Sequence, residues 1–152
     1  MNDKQWKEKI EQAREVERAI LKWYRQNKDP EASLETSKCK EYDILSSVVG
    51  NVEVKEDRLV HQTGTYAIEY EDAAGLPSGI AVTTANEFVL VDMKDVVFIA
   101  TESLRFLVKE SKRKRRMDMG YRTNKKKQAK GWLIKEEEIK YSPYAIVKKR
   151  WF

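Results

Sequence analysis

The chain has one cysteine, Cys39, and one histidine, His61, in 152 residues. A lone cysteine excludes a disulfide within the chain and argues for a reducing compartment, so a cytoplasmic location is expected. With one Cys and one His, no structural zinc site can be built from those residues in a single chain. Any bound metal must therefore be held mainly by carboxylates. No apolar run approaches the length of a membrane span, so no membrane partner is expected. The start, Met1-Asn2-Asp3-Lys4-Gln5, is polar and lacks a signal-peptide core.

What the chain has in abundance is charge. It is 36% charged and 41% hydrophobic, the balance of a soluble domain with a real core and a heavily charged surface. The net charge is +5, but it is unevenly spread. Lys109 to Lys130 carries 11 Lys/Arg against two acids, Glu110 and Asp118, a net of +9, which leaves −4 on the rest. Basic character gathered into one segment suits contact with a polyanion. Lys112, Arg113, Lys114, Arg115 and Arg116, then Lys125, Lys126 and Lys127, are the expected nucleic-acid contacts. Such residues bind phosphates and carry little sequence information.

Hydrophobic periodicity organises the remainder. Trp6, Ile10, Ala13, Ile20 and Tyr24 recur at helical spacing, which predicts a helix over 4–26 with Asn2 or Asp3 as N-cap. Asp29-Pro30 marks a loop. Strands are expected over 38–46, 51–55 and 66–71, with Val49-Gly50 as a turn. Short apolar strands follow at 88–92 and 96–101. Thr101 is placed to cap a helix over 102–110, and a short helix is expected near Thr83 or Thr84. Trp132-Leu133-Ile134 reads as a last strand, followed by a short helical element from Lys135 to Ile139. This order gives one α/β domain over 1–152, a central mixed sheet flanked by helices, with 109–130 as a basic insert.

Within that frame, Asp43 is followed after nine intervening residues by Glu53-Val54-Lys55. Side chains alternate along a strand, so Glu53 and Lys55 share a face while Val54 points to the core. Antiparallel pairing of the two strands brings Asp43 beside that pair. Two oxygen donors suit a hard divalent cation, and an adjacent lysine can orient or deprotonate a water. A fourth candidate sits on the first helix. The apolar stripe has a missing member at position 17, and that residue is Glu17. A carboxylate on a buried stripe is costly unless paired, hydrogen-bonded or bound to metal. Glu69 and Glu71 read as the solvent face of an alternating strand. His61 reads as a loop residue and Cys39 as a small hydrophobe near a strand start. Trp6, Trp23 and Tyr24 read as core, or as a dimer face.

Helix-Glu, then Asp, then Glu-x-Lys resembles the PD-(D/E)XK nuclease superfamily. The match is closest to its resolvase-like branch of archaeal-type Holliday-junction resolvases and related phage-encoded nucleases. Glu17-Arg18-Ala19-Ile20-Leu21 is similar to the helix start of that branch. Tyr42-Asp43-Ile44 is similar to its aspartate turn, and Val52-Glu53-Val54-Lys55 to its catalytic strand. Thr63-Gly64-Thr65, Ile68-Glu69-Tyr70-Glu71 and Ser78-Gly79-Ile80 extend the resemblance. Position 42 is Tyr where the superfamily name places Pro, and Thr65 stands where Asn is expected.

The resemblance implies a restriction-endonuclease-like core and a set of roles. Asp43 and Glu53 would be the main Mg²⁺ or Mn²⁺ ligands, with the Val54 carbonyl as a third. Glu17 would bind a second metal or a metal-bound water, and Lys55 would position the attacking water. Gln62, Thr63 and Gly64 would approach the phosphate backbone. The implied activity is structure-selective DNA cleavage, with branched DNA as substrate and a homodimer as the working form. Two other readings stand beside it. One is a non-catalytic nucleic-acid-binding protein that keeps the fold. The other is a nuclease of single-stranded DNA or RNA.

Overall fold

The computed structural model describes residues 2–36, 42–111 and 129–152, together with the backbone of 115–119. Helix α1 spans Asp3–Asn27. Asn2 caps it: its side chain accepts from the Gln5 amide at 2.9 Å, while Gln5 Oε1 accepts from the Asn2 amide at 3.0 Å. This reciprocal pair satisfies two donors that a helix start leaves orphaned. At the far end, the amides of Lys28 and Asp29 both donate to the Tyr24 carbonyl at 2.8 Å. Only the second half of α1 reaches the core, through Val16, Ile20, Leu21 and Tyr24. Trp6, Ile10 and Ala13, expected on the buried stripe, are exposed. Periodicity marks an apolar face; it does not say how far the sheet beneath it extends.

That sheet is mixed and has six strands. Strands β1 (Ser33–Leu34), β2 (Ile44–Leu45) and β3 (Val52–Glu56) pair antiparallel in turn. Strand β3 then pairs in parallel with β5 (Glu87–Val91). Strands β6 (Asp95–Ala100) and β9 (Ile146–Lys149) complete the sheet antiparallel, with β9 at its edge. The crossover from β3 to β5 carries α2 (Val60–Thr63) and β4 (Thr65–Glu71). Strand β4 leaves the main sheet and pairs with β8 (Ala129–Lys135), which also pairs with β7 (Arg115–Met119).

Strict alternation along β5 and β6 divides the interior in two. Val89, Val91, Val96 and Phe98 face α1 with Val52 and Val54. Phe88, Leu90, Val97 and Ile99 face the opposite way, packing with Tyr66, Ile68 and Ile134 of the small sheet and with Leu104 of α3 (Thr101–Glu110) and Ile139 of α4 (Glu136–Lys140). The central strands are thus buried on both faces, which is why they read as continuous apolar runs. Each fully buried aliphatic side chain contributes about 1.5–3 kcal/mol.

Several expectations change. Of the strand expected over 38–46, 38–41 lie outside the described residues, and only Ile44 and Leu45 are paired. Ser46 ends that strand: its hydroxyl donates to Asp29 at 2.6 Å and accepts from the Val48 and Val49 amides. Thr101 does not cap α3; Ala100 holds that position, and the Thr101 hydroxyl is buried without a hydrogen-bond partner. No helix forms at Thr83, whose hydroxyl accepts the Ala85 amide; a 3₁₀ turn lies earlier, at Gly79–Ala81. The stretch around Trp132 is not the last strand, because β9 follows it.

Candidate active site

Strand β2 is two residues long, and that brevity builds the site. Ile44 pairs with Val52, and the Asp43 amide donates to the Val52 carbonyl at 2.8 Å. One step further along β3, the ladder has no backbone acceptor left. The Asp43 carboxylate takes its place, Oδ2 accepting from the Val54 amide at 2.7 Å. Amide and carbonyl of one strand residue leave on the same edge, so the Val54 carbonyl also lies on the Asp43 side.

Val52 and Val54 point to the α1 core, which turns Glu53 and Lys55 to the other face. Glu53 is only 3% exposed. Its Oε1 pairs with Lys55 Nζ at 3.0 Å, while its Oε2 is buried with no hydrogen-bond partner. Lys55 reaches outward, its side chain about half exposed (52%). A buried carboxylate oxygen without a donor is a large cost unless something absent from the polypeptide satisfies it.

Electrostatics draw the four sequence-derived residues together. Glu17, half-buried on α1, has its pKa pushed up from 4.5 to about 6, first by burial and then by Asp43, with a smaller push from Glu53; Lys55 and Arg14 oppose the shift. Burial also raises the Asp43 carboxyl, against the Val54 hydrogen bond and Lys55. Glu53 is raised by burial and by Asp43 and Glu69, with Lys55 opposing. Burial works against the Lys55 ammonium, but Glu53, Asp43 and Glu69 outweigh it and raise its pKa. Three carboxylates therefore resist ionisation around one lysine that is held charged.

Glu69 is a further member, for which contact with the site was the lesser of two sequence readings. It was expected on a solvent face with Glu71. Instead it is half-buried and lines, with Lys55, a cleft of about 230 Å³ between the two sheets. Ser78 fixes it, its hydroxyl donating to Glu69 Oε2 at 2.9 Å. Gly79, at φ 52°, makes this possible: a Cβ there would sit 2.4 Å from the Glu69 carbonyl oxygen. The local Ser-Gly dipeptide was visible in the sequence, but its contact with β4 was not. Glu71 behaves differently and pairs with Lys130 at 3.2 Å.

The donor set fits a hard divalent cation. All the donors are oxygens, one is buried and unsatisfied, and the acids repel one another. Among the described residues no three Asp, Glu, His or Cys side chains already form a cage. Magnesium does not require one, since it commonly takes one or two carboxylates and keeps several waters. Asp43, Glu53 and the Val54 carbonyl are the residues that would hold it, with Glu17 within electrostatic reach.

Other expected contacts are less central. His61 and Gln62 are exposed on α2, their side chains 3.5 Å apart. Gly64 ends that turn at φ 68°, and its carbonyl accepts the Glu136 amide at 2.9 Å. Lys112, Arg113, Lys114, Lys125, Lys126 and Lys127 lie outside the described residues, as does Cys39; for Arg115 and Arg116 only the backbone, in β7, is described. No helix among the described residues is long and apolar enough to cross a membrane. No family model matches the sequence, and no curated protein or solved structure is significantly similar to it.

Proposed function

We propose that the chain is a divalent-metal-dependent DNA endonuclease that hydrolyses phosphodiester bonds and selects its substrate by shape, branched DNA being the class that fits best. The observation that carries this reading is Glu53. Its carboxylate is buried, one oxygen is held by Lys55, the other has no donor, and Asp43 and Glu69 lie close enough to push its own carboxyl further up. A surface ion pair has none of these features.

A bound Mg²⁺ or Mn²⁺ supplies Lewis-acid charge at the phosphate and lowers the pKa of an attacking water. The chain's own residues do the rest. Asp43 and Glu53 hold the site open against their mutual repulsion. Lys55, anchored through Glu53, is aimed at the cleft, where it orients the water and offsets charge that builds on the phosphoryl oxygens. Glu17 holds a water on the α1 side. The resemblance to PD-(D/E)XK resolvases agrees with this assignment of roles. It also adds the homodimer, because resolving a four-way junction takes two centres. The basic run from Lys109 to Lys130 supplies sequence-independent phosphate contact.

The test is a cleavage panel of single-stranded, duplex, flap and four-way-junction DNA, with RNA, in Mg²⁺ and in EDTA. Metal-dependent nicking of the branched substrates is expected. Equal cutting in EDTA would remove the metal, and cutting of RNA alone would remove the DNA assignment.

A further inference from the structure

The aromatic and basic stretch from Tyr144 to Phe152 takes no part in the site above, yet it builds a second one. Phe98 pairs with Ile146 and Val96 with Lys148 across β6 and β9. Ile146 and Lys148 therefore share the α1 face of the sheet, opposite to Glu53 and Lys55. There they meet the end of α1. Trp23, Phe98, Ile146, Lys28 and Lys148 line a groove of about 320 Å³. The Trp23 ring lies 4.5 Å from Phe98, centroid to centroid, and Trp151 extends the aromatic surface at 6.4 Å from Trp23. Lys148 Nζ stands 6.0 Å over the Trp23 ring. Ile146 is 60% exposed and Trp151 44%, so an apolar, flat-sided surface faces solvent.

The charges around this groove point to its occupant. Lys28 and Lys148 are exposed and make no ion pair among the described residues. The one acid in the groove, Glu87, accepts the Tyr24 hydroxyl at its floor. The exposed Trp151 ring and the Trp23 edge beside it, rimmed by unpaired ammonium groups, match an unpaired nucleotide, base against ring and phosphate against lysine. A duplex hides its base faces and cannot use the rings.

We infer that this groove binds a single-stranded segment of DNA. Trp23 lies six residues beyond Glu17 on α1, about 9 Å along the axis. The helix that carries Glu17 into the carboxylate cluster thus also carries Trp23 into the groove, toward the β6–β9 side of the sheet. Only this last point rests on the nuclease reading: the groove would select substrates that carry unpaired nucleotides next to the cut.

The experiment is anisotropy of a labelled oligo-dT strand against the full chain in EDTA, across a range of salt, for wild type, Lys28→Glu/Lys148→Glu and Trp151→Ala. The charge-reversed protein is expected to bind about tenfold more weakly, with a log–log salt slope smaller by about 1.4, two phosphates at 0.7 each. Trp151→Ala weakens oligo-dT binding by several-fold through lost stacking. A duplex of equal length is expected to lose little in either variant. Photocrosslinking of an iododeoxyuridine-substituted strand is expected at Trp23 or Trp151. Unchanged oligo-dT affinity in the charge-reversed protein would overturn the inference, as would an equal loss on duplex. Tighter binding of oligo-rU would overturn its commitment to DNA. Cutting assayed on the same samples with Mg²⁺ separates the two readings. Binding without cutting keeps the groove and removes the nuclease; cutting with unaltered binding in the variant removes the groove.

Discussion

Two clusters in this molecule have the same ingredients, several carboxylates around one lysine, and opposite temperaments. At Lys140 every group is satisfied. Its ammonium lies 2.9 Å from Asp92, 2.8 Å from Asp95 and 2.9 Å from Glu136. Asp92 also accepts from the Lys94 and Asp95 amides and from the Tyr66 hydroxyl. Burial alone would raise the Asp92 carboxyl, but Lys140, Tyr66 and those amides hold it below its ordinary value. At Lys55 the balance is reversed. Glu17, Asp43 and Glu53 are all raised, and one Glu53 oxygen has no partner. The first cluster ties α4 to β5 and β6. The second leaves a buried carboxylate oxygen unsatisfied and three carboxyls raised, the arrangement on which the proposed function rests.

Removal of each lysine should separate the two clusters most sharply. Lys140→Met strands buried Asp92 and half-buried Asp95, and a denaturant midpoint should report a loss of about 3–5 kcal/mol. Lys55→Ala leaves buried Glu53 without its partner too, but that carboxyl is already raised and can take up a proton, and Lys55 is half exposed, so the loss should be clearly smaller. A similar loss of stability in both variants would erase the distinction. Next come the acids. Asp43→Asn and Glu53→Gln should lower metal-dependent cleavage by about 10³-fold, with thermal midpoints equal to or above wild type.

The two clusters should also respond oppositely to pH. Asp92 is lowered, so its contribution to stability is present above its unfolded pKa, near the ordinary 3.8, and is lost as pH falls below that. Glu17 is raised from 4.5 to about 6, so the folded state binds its proton more tightly. Its favourable contribution is full below about 4.5 and is lost as pH rises through about 6. Glu17→Gln, melted without divalent ions, should therefore gain about 1 kcal/mol at alkaline pH, allowing for partial exposure, and nothing at acid pH. Asp92→Asn should flatten the acid limb. The smallest effect is expected at Glu69→Gln, which loosens the far wall of the Lys55 cleft. It should slow cleavage by only a few-fold, and Ser78→Ala should do the same if the hydroxyl acts through Glu69.

The candidate site was legible because its core is local. Asp43 lies one residue before β2, beside the antiparallel β3 that carries Glu53, so a short turn and a period of two suffice to place them. Glu17 was legible as a break in a helical stripe, although half of that stripe proved exposed. What stayed hidden depends on distant pairing. Ile68 meets Trp132 across the small sheet, which carries Glu69 away from solvent and over Lys55. Lys140 finds Asp92 and Asp95 more than forty positions earlier, in contacts that no periodicity records. Strand β9 was missed for a related reason: exposed on both faces, it has no alternation to reveal it.

The most direct measurement is the nicking of a four-way DNA junction in Mg²⁺ by wild type and by Lys55→Ala, with thermal midpoints taken on the same preparations. Robust cleavage by wild type, none by the variant, and only a small difference in midpoint are the predicted result. Cleavage by Lys55→Ala at the wild-type rate, or no cleavage by wild type on any branched substrate, would contradict the account.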